Sequence, residues 1–266
     1  MNTRQKIKHW LYGSCPGFAG SFPYFGTKIY FPKDSHLFNE ACKQGIFEQE
    51  IVSAIETLII PDTFYFDIGS NIGLMAAPFL QTIPSCRVMS FEPSPNTFPF
   101  LKRTQKSSPF RDRWIIVTKA VSNYIGEEEF TMNTAGMGPF DGLKNTKRTT
   151  SASSVRVQVT TLDTEWELIG RPRVSVIKCD VEGGELNVFK GALQCINVNR
   201  PFILTEWNLI NLMAYNCAYS NLLSFANSIG YVVYSLPSLV RIMDVLQLRL
   251  NMQLQTENFL LAPITQ

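Results

Sequence analysis

Acids recur where apolar runs end in this 266-residue chain. Asp67 follows "FYF" in "FYFDIGSNIGL" (64–74), Glu92 ends "CRVMSFE", Asp180 ends "VSVIKCD" and Glu206 ends "PFILTE". An acid behind a buried strand stands at the rim of a sheet, and in open α/β sheets that rim holds the ligand. Carboxylates placed there accept hydroxyl hydrogen bonds, attract a cation or take a proton. Gly69 and Gly73 would let backbone come close to the same ligand. An isolated Asp-x-Gly equally serves as a turn cap. Spacing adds weight to the ligand reading, because Glu92 falls about 20 residues beyond Gly69, where a doubly wound fold holds the acid that accepts ribose hydroxyls.

That acid suits a dinucleotide or an adenosyl sulfonium compound. A dinucleotide calls for G-x-G-x-x-G, so that helix-start amides reach the pyrophosphate. Here the run is Gly69-Ser-Asn-Ile-Gly73, with Asn71 in the place of the second glycine. An NAD-dependent oxidoreductase is therefore the weaker enzyme reading. S-adenosylmethionine has no phosphate to cradle, and its ammonium and sulfonium charges favour a nearby carboxylate such as Asp67. A non-catalytic cofactor-binding protein is a reading from another class, which the retained acids and glycines do not favour.

The elements that must carry these residues follow from periodicity. Residues 1–45 are broken by glycines and prolines and predict an irregular arm or cap, with one short strand at best in "TKIYFP". From Ile46, Phe47, Ile51, Ile55 and Leu58 share a helical face that Pro61 ends. Apolar runs at 63–69, 86–92, 114–122, 174–180, 201–207 and 231–236 then alternate with helical stretches such as 184–195 and 219–229. The pattern predicts a parallel sheet covered on both faces. Runs at 127–133 and 155–162 alternate with period two and predict an added strand pair. "ENFLLAPI" reads as a last strand at the sheet edge. The expected organisation is an arm over 1–45 and one domain over 46–266.

"FDIGSNIGL", "SFEPSP", "KAVSN…G", "VQVTTLD" and "VIKCDVEGGELNVFKGA" resemble, in order, the blocks of FkbM-type class I S-adenosylmethionine-dependent methyltransferases, across roughly residues 46–262. The D-V-E-G-x-E run is the most specific of them; the arm and residues 239–256 match poorly. The resemblance implies a Rossmann-like, doubly wound, mostly parallel seven-stranded sheet. It implies S-adenosyl-L-methionine as cofactor and an oxygen acceptor, most plausibly a hydroxyl of a sugar or glycosylated small molecule. It implies that Asp67, Gly69, Asn71 and Gly73 line the methionine side, that Glu92 holds the ribose, and that Val121 and Ser122 lie near the adenine. Ser122 reads equally well as a turn residue.

Methyl transfer from a sulfonium is an in-line displacement, so the protein aligns the acceptor and removes its proton. Asp180 is the first candidate for that proton, or for orienting the acceptor, and Glu182 the second. A helix-capping role, or a contact to the cofactor's ammonium, competes for Asp180. Glu185 is expected to stabilise a helix N-terminus, Lys178 to pair with a nearby acid, and Glu206 to reach the same rim. Close carboxylates suit Mg²⁺, although no spacing demands a metal. His9 and His36 read as surface or packing residues, and alternation turns Cys179 away from Asp180 into the core. The loop 133–154 would overhang the pocket, with Lys144, Lys147 and Arg148 either solvated or facing an acidic acceptor.

Six cysteines without a C-x-x-C pair read as reduced thiols. A net charge of +2 is too mild for a nucleic-acid footprint. No secretory leader or apolar run long enough to span a bilayer is read, and a cytoplasmic protein is expected.

Overall fold

The computed structural model describes residues 3, 6, 7, 10, 20–133, 141–146 and 152–264. His9, Cys15, Lys147 and Arg148 lie outside the described residues. Strands in chain order are β1 (Gly20–Tyr24), β2 (Thr27–Phe31), β3 (Phe64–Ile68), β4 (Arg87–Phe91), β5 (Trp114–Val117), β6 (Ala120–Val121) and β7 (Gly126–Asn133). They continue with β8 (Ala152–Thr160), β9 (Val174–Cys179), β10 (Phe202–Glu206), β11 (Tyr231–Ser235), β12 (Val240–Ile242) and β13 (Asn258–Pro263).

Strands that are apolar on both faces end up in the middle of a sheet. β3 and β9 are buried at every position and pair in parallel at the centre of an eight-stranded sheet, order β12-β11-β13-β10-β9-β3-β4-β5. The pairings β3–β4, β4–β5 and β9–β10 are parallel too. The short edge strand β12 adds an eighth member to the seven expected. β13 runs antiparallel between β10 and β11, inside the sheet and not at its edge, because Phe259, Leu260 and Leu261 are all apolar and buried.

Period-two alternation sorts the core into two layers. Phe66, Ile68, Ile177, Cys179 and Ile203 face one layer. Tyr65, Val176 and Leu204 face the other, where helix Gln49–Leu58 contributes Ile51, Val52 and Ile55. The same alternation puts Asp67, Lys178 and Glu206 on the side of that helix.

Several expectations are corrected in detail. The run 114–122 does not make one strand: β5 ends at Val117, and Ala120–Val121 turns away to pair in parallel with β8. There it joins the antiparallel β7–β8 pair in a three-stranded sheet. The helix expected over 184–195 is two, Glu185–Lys190 and Leu193–Asn199. A Cβ on Gly191, between them, would lie 2.0 Å from the Ser122 carbonyl oxygen, so this glycine lets the helix end touch the Ser122 loop.

The largest correction concerns the arm. β1 and β2 form a hairpin whose two-residue turn, Phe25-Gly26, has positive φ at both positions, as the tightest hairpin turns require. Helix His36–Gln44 follows, capped by the Ser35 hydroxyl, which accepts the Phe38 N–H at 3.2 Å. Phe31 stacks on Phe38 with centroids 4.1 Å apart. Phe22, Ile29 and Phe38 pack with Ile72, Leu74 and Ala77, just behind the glycine run. The aromatic alternation in "GSFPYFGTKIYF" carries this hairpin; prolines and glycines mask it in a composition count. No helix among the described residues is long and apolar enough to cross a membrane. The described cysteines are buried except for Cys217, which is half-buried.

Candidate active site

The carboxyl ends of β3 and β9 touch through backbone. Asp180 N–H donates to the Ile68 carbonyl at 3.0 Å. Gly69 turns away at φ +85, and a Cβ there would sit 1.9 Å from the Asp180 carbonyl oxygen. Only glycine fits this crossing. Two clefts open on either side of it, and Gly69, Asn71, Asp180 and Glu182 line both.

The first cleft, about 640 Å³, has an apolar slot of Phe91, Val121, Phe130 and Leu143. Glu92 stands at its rim, buried, and its two oxygens accept the Asn71 and Ser94 N–H groups at 2.8 Å each. Burial pushes the Glu92 carboxyl up to about 7, while the Ser94 and Asn71 bonds pull the other way. Asp141 reaches the same cleft from the β7–β8 connection, anchored by the Asn133 N–H at 2.7 Å and the Ser94 hydroxyl at 2.6 Å. Burial raises Asp141 as well. Ser122 N–H donates to the Thr160 carbonyl at 2.8 Å, which holds the Val121–Ser122 wall against β8.

The second cleft, about 900 Å³, lies on the side of helix Gln49–Leu58. Leu37, Phe47, Leu74 and Met75 line one part of it, and Glu48, Asp180, Glu182 and Glu206 another. Lys178 is buried at its base and donates to Asp180 Oδ2 at 3.0 Å. Burial works against the Lys178 ammonium, yet Asp180, Glu48 and Asp67 together hold it well above the ordinary lysine range. Burial lifts the Glu48 carboxyl, with Lys178 opposing.

Asp180 combines a carboxylate fixed by Lys178 with partial exposure at the junction of the clefts. Glu182 sits in a left-handed turn at φ +60 and accepts the Asn211 amide at 2.8 Å. Glu185 takes the Val181 and Gly183 N–H groups at 3.0 Å each, so it shapes the loop and does not line a cleft; burial lifts it to about 7. Asp180, Glu182 and Glu206 bring one carboxylate oxygen each within 4.8 Å of one another, a donor set that hard divalent cations use.

Of the residues singled out in the sequence, Gly69, Asn71, Glu92, Val121, Ser122, Asp180 and Glu182 come together in the first cleft. Asp67 and Gly73 line neither cleft. Asp67 is wholly buried, accepts the Tyr65 hydroxyl at 3.2 Å through Oδ1, and has no hydrogen-bond partner for Oδ2 among the described residues. A Cβ on Gly73 would press on Trp114 and Leu101 at 2.8–2.9 Å, so this glycine serves core packing. Lys144 pairs with Glu128 at 3.1 Å and lines neither cleft.

Sequence reasoning missed Asp141, Lys119 and Tyr215 in the first cleft and Glu48, Phe47 and His36 in the second. Asp141 carried one signal, an Asp-Gly pair inside a long loop. Glu48 carried none, because it reads as one more charge at a helix start.

The first cleft fits an adenosyl sulfonium ligand. Its slot suits a flat base, Glu92 keeps lone pairs for vicinal hydroxyls, and the carboxylates at the junction suit a cationic end. It fits a dinucleotide poorly. The Asn71 N–H that would face a pyrophosphate already serves Glu92, and the next helix begins only at Ala77.

Comparison with known proteins agrees. The hexuronic acid methyltransferase AglP of Haloferax volcanii is 28% identical over 162 residues, which cover 60% of this chain and 62% of AglP. The 2-O-methyltransferase NoeI of Sinorhizobium fredii is 26% identical over 172 residues, covering 60% of this chain and 68% of NoeI. The chain thus spans a little under two thirds of AglP. Among solved structures, the methyltransferase FkbM of Methylobacillus flagellatus superposes with a TM-score of 0.47 at 17% identity, over 75% of this chain and 43% of that one. The model of the methyltransferase FkbM domain matches residues 67–233, well over half the chain, and the protein belongs to that family.

Proposed function

We propose that the protein transfers a methyl group from S-adenosylmethionine to a hydroxyl oxygen, on a sugar or a glycosylated small molecule. The observation that carries the reading is the junction: a nucleoside-shaped cleft and a second, polar cleft share Gly69, Asn71, Asp180 and Glu182. The donor supplies an electrophilic methyl carbon when bound. The chain's part is to align and deprotonate. Glu92 and the Val121–Ser122 wall orient the nucleoside, with Gly69 and Asn71 beside the methionine end. Asp180, held by Lys178, accepts the proton of the acceptor hydroxyl as its oxygen attacks, and Glu182 orients that hydroxyl. The names of the two relatives, one for a hexuronic acid and one for 2-O-methylation, support an oxygen acceptor on a sugar.

In this reading residues 46–266 form the methyltransferase domain and residues 1–45 an N-terminal arm or cap, whose His36 and Leu37 line the second cleft. A cytoplasmic location and no nucleic-acid partner go with it, supported by the free, buried thiols of Cys86, Cys179 and Cys195 and a mild net charge. The test is calorimetry with S-adenosylhomocysteine, then methyl-labelled donor against a panel of glycosides. Binding with label transfer supports the reading, and no uptake of S-adenosylhomocysteine at millimolar concentration ends it.

A further inference from the structure

We propose that the second cleft accepts a pyranose, or a polyol of that shape, that bears no acidic group, and that Glu48 is the residue that turns acidic sugars away. This rests on the methyl-transfer reading and adds to it the charge of the acceptor.

The cleft has two unlike walls. Leu37, Phe47 and Met75 offer apolar surface, and Glu48, Asp180 and Glu206 offer carboxylates. A pyranose is divided in the same way. Its C–H face packs on apolar and aromatic side chains, and its hydroxyl rim donates hydrogen bonds that carboxylates accept. Charge then narrows the class. Carboxylates outnumber cations among the described residues that line the cleft, and the Lys178 ammonium lies against Asp180 at 3.0 Å. A carboxylate or phosphate on the acceptor would enter beside like charge in a partly dry cleft, which repels it. A hydroxyl meets no such barrier, and the ammonium of an amino sugar is attracted.

Glu48 reaches the chemistry at the sheet rim only through its charge interaction with Lys178 and Asp180. It lines the second cleft but not the first. Its φ of +46 and the bond from its N–H to Gln44 Oε1 at 2.9 Å fix it between two helices. Its neighbour Phe47 donates its N–H to the Tyr24 hydroxyl of the hairpin at 3.3 Å. The N-terminal segment thus sets the wall that selects the acceptor, and the sheet sets the atoms that react.

The test uses the full chain saturated with S-adenosylhomocysteine, so that no turnover intervenes. Methyl glycosides matched in all but one group, such as glucoside, glucosaminide and glucuronide, are titrated by calorimetry. Neutral and amino glycosides are expected to bind on the order of tenfold more tightly than the uronide. Glu48→Gln should narrow the gap and Glu48→Lys should reverse it. A uronide that binds as well as the glucoside overturns the charge assignment and leaves methyl transfer standing. An unchanged gap in Glu48→Lys overturns the role of Glu48, and binding of no glycoside overturns the pyranose assignment. S-adenosylhomocysteine affinity and melting temperature, measured first on every variant, judge the methyl-transfer reading and the fold separately.

Discussion

The two clefts meet at one glycine but hold their acids in different ways. In the first cleft, Glu92 and Asp141 are tied to main-chain N–H groups of Asn71, Ser94 and Asn133, with the Ser94 hydroxyl as an added donor to Asp141. In the second, Asp180 is held by the Lys178 side chain and Glu182 by the Asn211 side chain. Main-chain donors do not change when a side chain does, so the anchors of the first cleft survive substitution of the residues that supply them. Side-chain donors are lost with a single substitution, so the second cleft is the easier one to alter. The proposed methyl donor and acceptor divide along that line.

The hardest blow to both clefts together is Gly69→Ala. At φ +85 an alanine is strained, and its Cβ would fall 1.9 Å from the Asp180 carbonyl oxygen. A loss of about 3 kcal/mol or more is expected in urea unfolding, with S-adenosylhomocysteine binding and turnover lost together. Native-like affinity in this variant would mean that the β3–β9 crossing is not what joins the clefts.

Asp180→Asn separates them. The acceptor side loses its proton acceptor while the first cleft keeps its own anchors. Turnover should fall by about 10²- to 10⁴-fold, and S-adenosylhomocysteine affinity by less than about tenfold, because Glu182 remains at the junction for the cationic end. Equal losses in both would make Asp180 a donor-binding residue and weaken the contrast.

Glu92→Gln strikes the first cleft alone. Charge-assisted hydrogen bonds contribute about 1.5–3 kcal/mol, so affinity for S-adenosylhomocysteine should drop by roughly 10- to 100-fold. Its pH dependence gives a second check. The folded value of about 7 lies above the usual 4.5. The unfolded chain therefore gives up this proton first, and the ligand-free protein loses stability as pH rises from 4.5 to about 7. Ligand that prefers the carboxylate binds more tightly as pH rises through the same window. In the glutamine variant the Glu92 part of both slopes should vanish.

How far the sequence disclosed these clefts follows the same division. Strand-end acids and the glycine run are local patterns, so Gly69, Glu92 and Asp180 were readable from position and spacing, while Asn71 rested on the family resemblance. Val121 and Ser122 came from the resemblance and line the first cleft, yet the strand that carries them was misread, since nothing in "WIIVTKAVS" marks where the chain leaves one sheet for another. Asp67 and Gly73 fit the motif but face the interior: Asp67 shares its side of β3 with Tyr65, and Gly73 packs on Trp114. Glu48, Phe47 and His36 owe their place to how an N-terminal hairpin and helix dock on Leu74 and Ala77. Such docking is a tertiary event that periodicity does not encode.

The smallest expected effect bears on the loop that brings Asp141 and Leu143 into the first cleft. Three devices hold residues 141–146: the backbone pair of Thr131 with Gly142 at 2.7 and 3.1 Å, the buried bonds of Asp141 to Asn133 and Ser94, and the surface pair of Lys144 with Glu128 at 3.1 Å. Half of the Lys144 side chain is exposed, and pairs so placed contribute at most about 1 kcal/mol. Lys144→Ala should therefore lower the melting temperature only slightly, with a difference that shrinks as salt rises. S-adenosylhomocysteine affinity should hold within about twofold, because Asp141 still fixes the loop from inside. A tenfold loss of affinity would mean that the surface pair holds the loop, and the first cleft would then depend on side-chain pairing as much as the second does.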